Sequence, residues 1–535
     1  MNSATLKQVP CGEASFAYLR EAGWAFVDKT PFIRTLEDCG CRFPVLMRPR
    51  RFGKSLFANM LATYYDKAAA GDFEKNFAGT WIAQHPTPSA GRHLILKFDF
   101  SGVGGSREAV SASFTIKLKA GMWQFVKRYL PGNPKLAAVL DEDHADPSAF
   151  LTAFLSTVQA LVSDRIFLII DECDYPAVQQ FFRKDAETFS AIAGTEGLLH
   201  KFFAVIQAFS RSLIDRGFIA GVTSISLNSV TAALPLAADI SHCPAFASCV
   251  GFTVEDLRKL IPEVVDTRRY GRGVDEILGR MKALYDGYRF SPESDVTVLH
   301  PSMALCCLRE VARENAEPLL LSDPAFSSGP STIEAILALG RPDFAEEVVE
   351  NVLWERPIAF EPADGMPTGN ADGITLEGVL SCLVFSGFLT LSQESAVHLV
   401  CPNPVVREVF FQCWFRRLSK TENLSFPPTA LKEAIVRLKA GDADPLLALV
   451  TERLGRCLAG NAHARQDETA MLLAASMALC TRDDYRVTAV EKDRESGCAE
   501  LILRPTRPNP DAAGWRLAFG KAEGAFGVVK ARRIP

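Results

Sequence analysis

Four apolar runs in the first half of the chain are separated by helical patterns, and this alternation constrains the fold more than any other feature. They are "FPVLM" at 43–47, "HLILKFDF" at 93–100, "RIFLIID" at 165–171 and "GFIAGVTSI" at 217–225. Short, continuously apolar strands of this kind are buried on both faces, and strands alternating with helices make an α/β fold with a parallel sheet. After the first run the chain reads "RPRRFGKSLF" at 48–57, then places Leu56, Phe57, Met60, Leu61 and Tyr64 on one helical face.

A strand, a loop ending Gly-Lys-Ser and a helix form the setting of a phosphate-binding loop. Gly53 lets backbone approach a phosphate, Lys54 reaches the β- and γ-phosphates, and the Ser55 hydroxyl ligates Mg²⁺. The expected contact set covers Arg48, Arg50, Arg51, Phe52, Gly53, Lys54, Ser55 and Leu56. Arg48 stands where such loops carry their first glycine. Arg48, Arg50 and Arg51 are compatible with a solvated basic loop, but beside a phosphate site at least one is expected to face the nucleotide or a neighbouring subunit. The third apolar run ends in Asp171 and Glu172, as a Walker B strand does. Asp171 is expected to hold Mg²⁺ and Glu172 to polarise an attacking water.

Composition narrows the classes. Hydrophobic residues make up 48% and charged residues 23% of 535, as in a globular protein with several domains, and a net charge of −5 excludes global basicity. The 14 Cys form no Cys-x-x-Cys pair and the 8 His are scattered, so no zinc site is expected and a reducing, cytoplasmic compartment is. No apolar run reads as a membrane span; the longest candidate, 469–480, reads as a buried helix.

From about 255 the pattern turns helical, and 374–400 reads as a helix followed by a hairpin, the order of a winged helix. The segment 420–430 reads as a linker, and the tail returns to mixed helix and strand.

"FVDKTPFI" at 26–33 with "RPRRFGKSLFANML" at 48–61 resembles the predicted AAA-ATPase-like family, whose phosphate loop lacks the first glycine. "GFIAGVTSIS", "ADISHCPAFASCVGFTVEDL", "LYDGYRF", "LHPSMAL", "VFSGFLTL" and "CPNPVVREVF" echo family segments in order. The resemblance implies a P-loop ATPase domain at 1–254, a helical lid and winged-helix-like region at 255–425, and a PD-(D/E)xK nuclease-like domain of restriction-endonuclease type at 426–535. It implies ATP and Mg²⁺ as cofactors, an ATP-dependent switch as function, and nucleic acid as a candidate partner of the C-terminal half; oligomers are compatible with it and a membrane is not expected. For the loop it suggests Pro49 making the tight turn and guanidinium groups replacing backbone contacts to phosphate. Near Ser224 the family carries an arginine, so Thr223 and Ser224 mark the sensor position, with Arg211 or Arg216 as substitutes.

The nuclease motif maps onto Glu468, Glu500 and Lys521, but the acid two places before Lys521 is Phe519, or Ala518 with a one-residue shift. A broken metal site is expected, with Glu491, Glu495 and Glu523 nearby as less favoured replacements. Two other readings follow, an active nuclease and a binding module using the winged-helix-like segment and the basic run 413–420. In "FVDKTPFI", Thr30 is a candidate N-cap with Pro31 at the first helical position.

Overall fold

In this computed structural model, the residues described are 6–142, 146–314, 329–353, 355–361, 369–370, 373–421, 428–449, 452, 485–492, 499–505, 514–522 and 525–534. They divide into two compact units: 1–313 with 335–345 and 358–402, and 314–334 with 346–357 and 403–535. Segment 255–313 and the helix-hairpin segment therefore belong to the same unit as the apolar strands.

The first unit is built on five parallel strands, β1 (Phe43–Met47), β2 (Leu94–Asp99), β3 (Ile166–Asp171), β4 (Ile214–Gly221) and β5 (Ala237–Asp239), in the order β2-β3-β4-β1-β5. The four apolar runs form four of these strands. The fourth starts earlier and stops at Gly221, because the amides of Val222 and Thr223 bond to Asp174 instead of a neighbouring strand. β5 is short, half-exposed and without an apolar run, so sequence pattern does not reveal it.

Period-two alternation sends side chains to both faces of the sheet. On one face Phe218 meets Phe57, and Phe167 stacks on Tyr65, both partners coming from the helix Lys54–Tyr65. On the other, Phe98 and Leu168 join a core with Phe114, Leu118 and Phe202 of the helices Arg107–Tyr129 and Leu198–Phe209. Among the described residues Ala186–Phe209 is long and apolar enough to cross a membrane, contrary to the expectation that no such stretch exists. It is two helices, Ala186–Ala193 and Leu198–Phe209, and Leu199, Phe202, Phe203 and Ile206 are buried in this core.

Beyond the sheet, Val254–Val264 and Val274–Tyr285 are amphipathic helices, the first opened by a capping box of Thr253 and Asp256. The helix Leu376–Phe385 precedes an antiparallel pair, β9 (Thr390–Leu391) and β10 (His398–Val400), to which β6 (Ile358–Ala359) adds a third strand. A two-stranded ladder, β7 (Gly369–Asn370) and β8 (Gly373–Ile374), lies between. In the second unit the helices Pro404–Thr421 and Pro428–Lys439 precede an antiparallel meander, β11 (Tyr485–Lys492), β12 (Ala499–Pro505), β13 (Gly514–Ala522) and β14 (Ala525–Ile534).

One glycine sets a helix-to-sheet distance. A Cβ on Gly121, inside Arg107–Tyr129, would lie 2.4 Å from the Lys97 carbonyl oxygen and 2.7 Å from the Phe98 ring. Gly121→Ala is expected to lower stability by about 1–3 kcal/mol through overpacking. Gly279→Ala, at an exposed helical position with open space, is expected to add about 0.5–1 kcal/mol. Thermal unfolding of both variants checks the opposite signs.

Candidate nucleotide site

All five strands run parallel, so β1, β3 and β4 bring their C-terminal ends to one sheet edge, where α/β folds bind ligands. β1 is fully buried and delivers the loop 48–53 there; the Arg48 amide still bonds to the Gly221 carbonyl oxygen, 3.2 Å away.

Arg48 then turns inward. Its guanidinium donates to the carbonyl oxygens of Met47 (2.9 Å), Ser241 (2.5 Å) and Phe246 (3.2 Å) and lies 4.2 Å from the centroid of the Phe290 ring. It is 1% exposed. The guanidinium of Arg48, expected to touch nucleotide, here reaches only main-chain acceptors, and its Nε is buried without one. Ser241 also receives the Met47 amide on its hydroxyl and bonds to Asp239, so β5 and the loop after it form Arg48's socket.

Phe52 is the second buried anchor. Its ring packs edge-on against Tyr288, Phe290 and His300 at 4.9, 5.3 and 4.7 Å, and its carbonyl oxygen accepts the Gly251 amide. Tyr288 in turn donates to Gly387, and Arg289 and Thr390 exchange hydrogen bonds, tying this strap to the helix-hairpin. The sequence segments "ADISHCPAF", "YDGYRF" and "LHP" thus converge around two loop side chains.

Around and just after the second anchor the backbone presents amides to the cavity. Arg51 and Gly53 have φ of 66° and 100°, and Gly53 caps the helix Lys54–Tyr65 without a side-chain hydrogen bond. First-turn amides of such a helix have no helical acceptor and attract anions. Lys54 is buried and donates to the Arg48 and Pro49 carbonyl oxygens at 2.8 and 3.0 Å. Burial pushes its ammonium pKa down, opposed by Glu172, Asp171 and Asp174. Arg50 and Arg51 are exposed, with Arg50 5.8 Å from the Tyr175 ring centroid.

Glu172 enters the same space from β3. It lines, with Arg51 to Leu56, a cavity of about 400 Å³ whose apolar wall includes Phe26, Val27, Leu260 and Leu305. Its φ is 53°, an uncommon conformation for a non-glycine residue and a feature of functional sites. Burial raises its carboxyl pKa, with Lys54 opposing. Asp171 is buried at the strand end, and in the sheet register Asp99 stands directly beside it. Among the described residues no group of three or more His, Cys, Asp or Glu could hold a metal, so a divalent ion would rely on Ser55, Asp171 and ligand oxygens.

Asp174 carries no signal in the sequence, because its partners lie 48 and 49 residues on. It is 1% exposed and accepts from the amides of Val222 (2.9 Å) and Thr223 (2.7 Å) and from the Thr223 hydroxyl (2.8 Å). Thr223, one of the two residues expected to act as sensor, is thereby fixed to the loop after β3; Ser224, the other, begins a short 3₁₀ turn. Arg211 and Arg216 sit at the opposite end of β4, so neither reaches this edge as a substitute.

Near the N-terminus, Thr30 does precede the helix Pro31–Asp38, but its hydroxyl donates to Asp28 instead of capping it. Asp28 accepts the Trp81 amide, and Lys29 donates to Ser248 and Asp256, where it lines the cavity.

Residues 10–231 match the family described as predicted AAA-ATPase. This stretch contains the loop, β3, Asp174 and the sensor position. Over 290 residues the chain is 28% identical to an uncharacterized protein in the vnfD 5'region of Azotobacter chroococcum mcd 1, covering 54% of this chain and 50% of that one. The match thus spans about half of the relative's length. The AAA-ATPase-like match stops well before the tail. There Glu468, Glu495 and Glu523 lie outside the described residues, Glu500 pairs with Ala518 and Glu491, and Lys521 pairs with Phe526.

A carboxyl with a raised folded-state pKa costs nothing below its unfolded value and most above its folded value. Glu172→Gln is therefore expected to raise the melting temperature by a few degrees at pH 8. That gain should shrink as pH falls through the raised pKa toward the ordinary carboxylate range, which a series of melts across pH checks.

Proposed function

We propose that the first unit binds ATP with Mg²⁺ and works as a nucleotide-dependent switch. The observation that carries this reading is the cavity lined at once by Gly53–Leu56 and by Glu172, with Glu172, Asp171 and Asp174 opposing the fall that burial imposes on the Lys54 pKa. ATP would supply a triphosphate with a transferable γ-phosphoryl group. Lys54 exchanges the Arg48 and Pro49 carbonyl oxygens for phosphate, the first-turn amides take the remaining charge, and Ser55 with Asp171 holds the metal. Glu172 orients water, and burial, by raising its pKa, makes it a stronger base than an ordinary carboxylate.

The switch follows from the anchors. Lys54 and Phe52 belong to one loop, Phe52 packs on the strap 288–300, and the strap is bonded to the helix-hairpin. Losing the lysine-to-carbonyl bonds when phosphate enters alters the loop between Phe52 and Arg48, and the strap carries that change to the hairpin. We read the helix-hairpin as winged-helix-like on its element order. For the tail we propose the nuclease-like reading on its resemblance; in the strand register Glu500 is paired with Glu491 on one side and Ala518 on the other. The buried thiols of Cys173, Cys249, Cys307 and Cys382 support a reducing compartment such as the cytoplasm.

Calorimetry on the full chain tests the site. Mg²⁺-ATP is expected to bind in the micromolar range, at least 100-fold more weakly to Lys54→Ala, and with near-unchanged affinity to Glu172→Gln, which should lose turnover. The absence of binding to the natural protein, or equal binding to Lys54→Ala, contradicts the reading.

A further inference from the structure

The helix Arg107–Tyr129 carries a second feature, remote in role from the cavity. Between residues 109 and 140 the chain has Lys117, Lys119, Lys127, Arg128 and Lys135 and no acid, although its net charge is −5. Phe114, Leu118, Met122 and Phe125 are buried, and Gly121 seats the helix against β2, so its rotation is fixed. What remains outside is a stripe in which Ile116 is 66% and Trp123 51% exposed, with exposed Lys119 and Lys127 alongside. Positions 116, 119, 123 and 127 follow helical spacing and span about 16 Å at 1.5 Å per residue. The Lys127 ammonium lies 5.1 Å from the Trp123 ring centroid. Lys117, Lys119 and Lys127 have no ion-pair partner among the described residues.

Beside the stripe runs a groove of about 1110 Å³, lined by Lys97, Lys117, Gln124 and Lys127 as well as by amides of Asn59 and Asn76. Its acids are mostly engaged. Asp66 takes Arg128 and the Tyr129 hydroxyl, Glu21 takes Lys75 and Asp99 takes the Ser101 amide, while Asp72 is exposed. The helix side of the groove is wholly basic where it is charged.

We propose that this face binds single-stranded nucleic acid, with bases stacking on Trp123 and Ile116 and phosphates held by Lys117, Lys119 and Lys127. The unneutralised ammonium groups call for an anionic partner. An indole kept half in water between two of them calls for flat groups free to stack, which a single strand offers and an acidic peptide does not. The proposal does not depend on the nucleotide cavity.

The test is fluorescence anisotropy of a labelled 15-residue oligothymidylate with the full chain, across salt concentration, with polyglutamate as competitor. The natural protein is expected to bind, with a log–log salt slope of about −2 for three phosphate contacts to a single strand. Trp123→Ala should weaken binding about tenfold, and Lys119→Glu with Lys127→Glu should abolish it. Both changes are at exposed positions, so unchanged melting temperatures confirm that the fold is retained. No binding, binding indifferent to both variants, or polyglutamate bound as tightly as oligothymidylate with no effect of Trp123→Ala overturns the assignment. None of these outcomes bears on Mg²⁺-ATP calorimetry, so the two readings fail separately.

Discussion

A guanidinium held among main-chain carbonyl oxygens is the constraint around which the nucleotide edge is arranged. Arg48 is buried, charged and without a carboxylate hydrogen-bonded to it, a combination that is costly unless its donors are satisfied. The carbonyl oxygens of Met47, Ser241 and Phe246 meet its two terminal nitrogens and Phe290 covers the planar group, while Nε stays buried without a hydrogen-bond partner. Phe52, four residues on, imposes a parallel demand on Tyr288 and His300. The loop is consequently pinned at Arg48 and Phe52, and the residues on either side of Phe52, Arg51 and Gly53, adopt positive φ.

This arrangement accounts for how the proposed phosphate loop does without its first glycine. In the usual pattern the glycine permits a tight turn and close backbone approach. Here the side chain at that position leaves the loop altogether and enters the protein, so its bulk does not crowd the cavity, and the carbonyl oxygens of Arg48 and Pro49 engage Lys54. The opposite wall is equally fixed: Asp174 binds the loop after β3 to the end of β4 through three hydrogen bonds. Glu172 is left as the half-buried, conformationally strained group between two rigid walls, the pattern expected where function is favoured over stability.

Much of this was legible in the sequence, for identifiable reasons. Buried parallel strands advertise themselves as apolar runs, so β1 to β4 could be read directly, and Gly53-Lys54-Ser55 and Asp171-Glu172 fall at their ends as the motif spacing requires. β5 was not legible, because three half-exposed residues leave no pattern. Nor was the direction of Arg48, since a basic residue beside a phosphate loop is expected to face phosphate; only the carbonyls of residues almost 200 positions away decide otherwise. Asp174 escaped for the same reason, its partners being backbone amides that any sequence supplies. The exposed Trp123 was hidden inside an ordinary amphipathic pattern, distinguishable only once the buried face of its helix is known.

The central claim is that Arg48 is an anchor and Lys54 the phosphate ligand. A structure of the protein with Mg²⁺ and a non-hydrolysable ATP analogue tests it most directly. The account predicts the triphosphate against Lys54 and the amides of Gly53 to Ser55, with the Arg48 guanidinium still bonded to the Ser241 and Phe246 carbonyls beneath Phe290. A guanidinium of Arg48 swung out onto the phosphates, or an analogue bound away from Lys54, would contradict it.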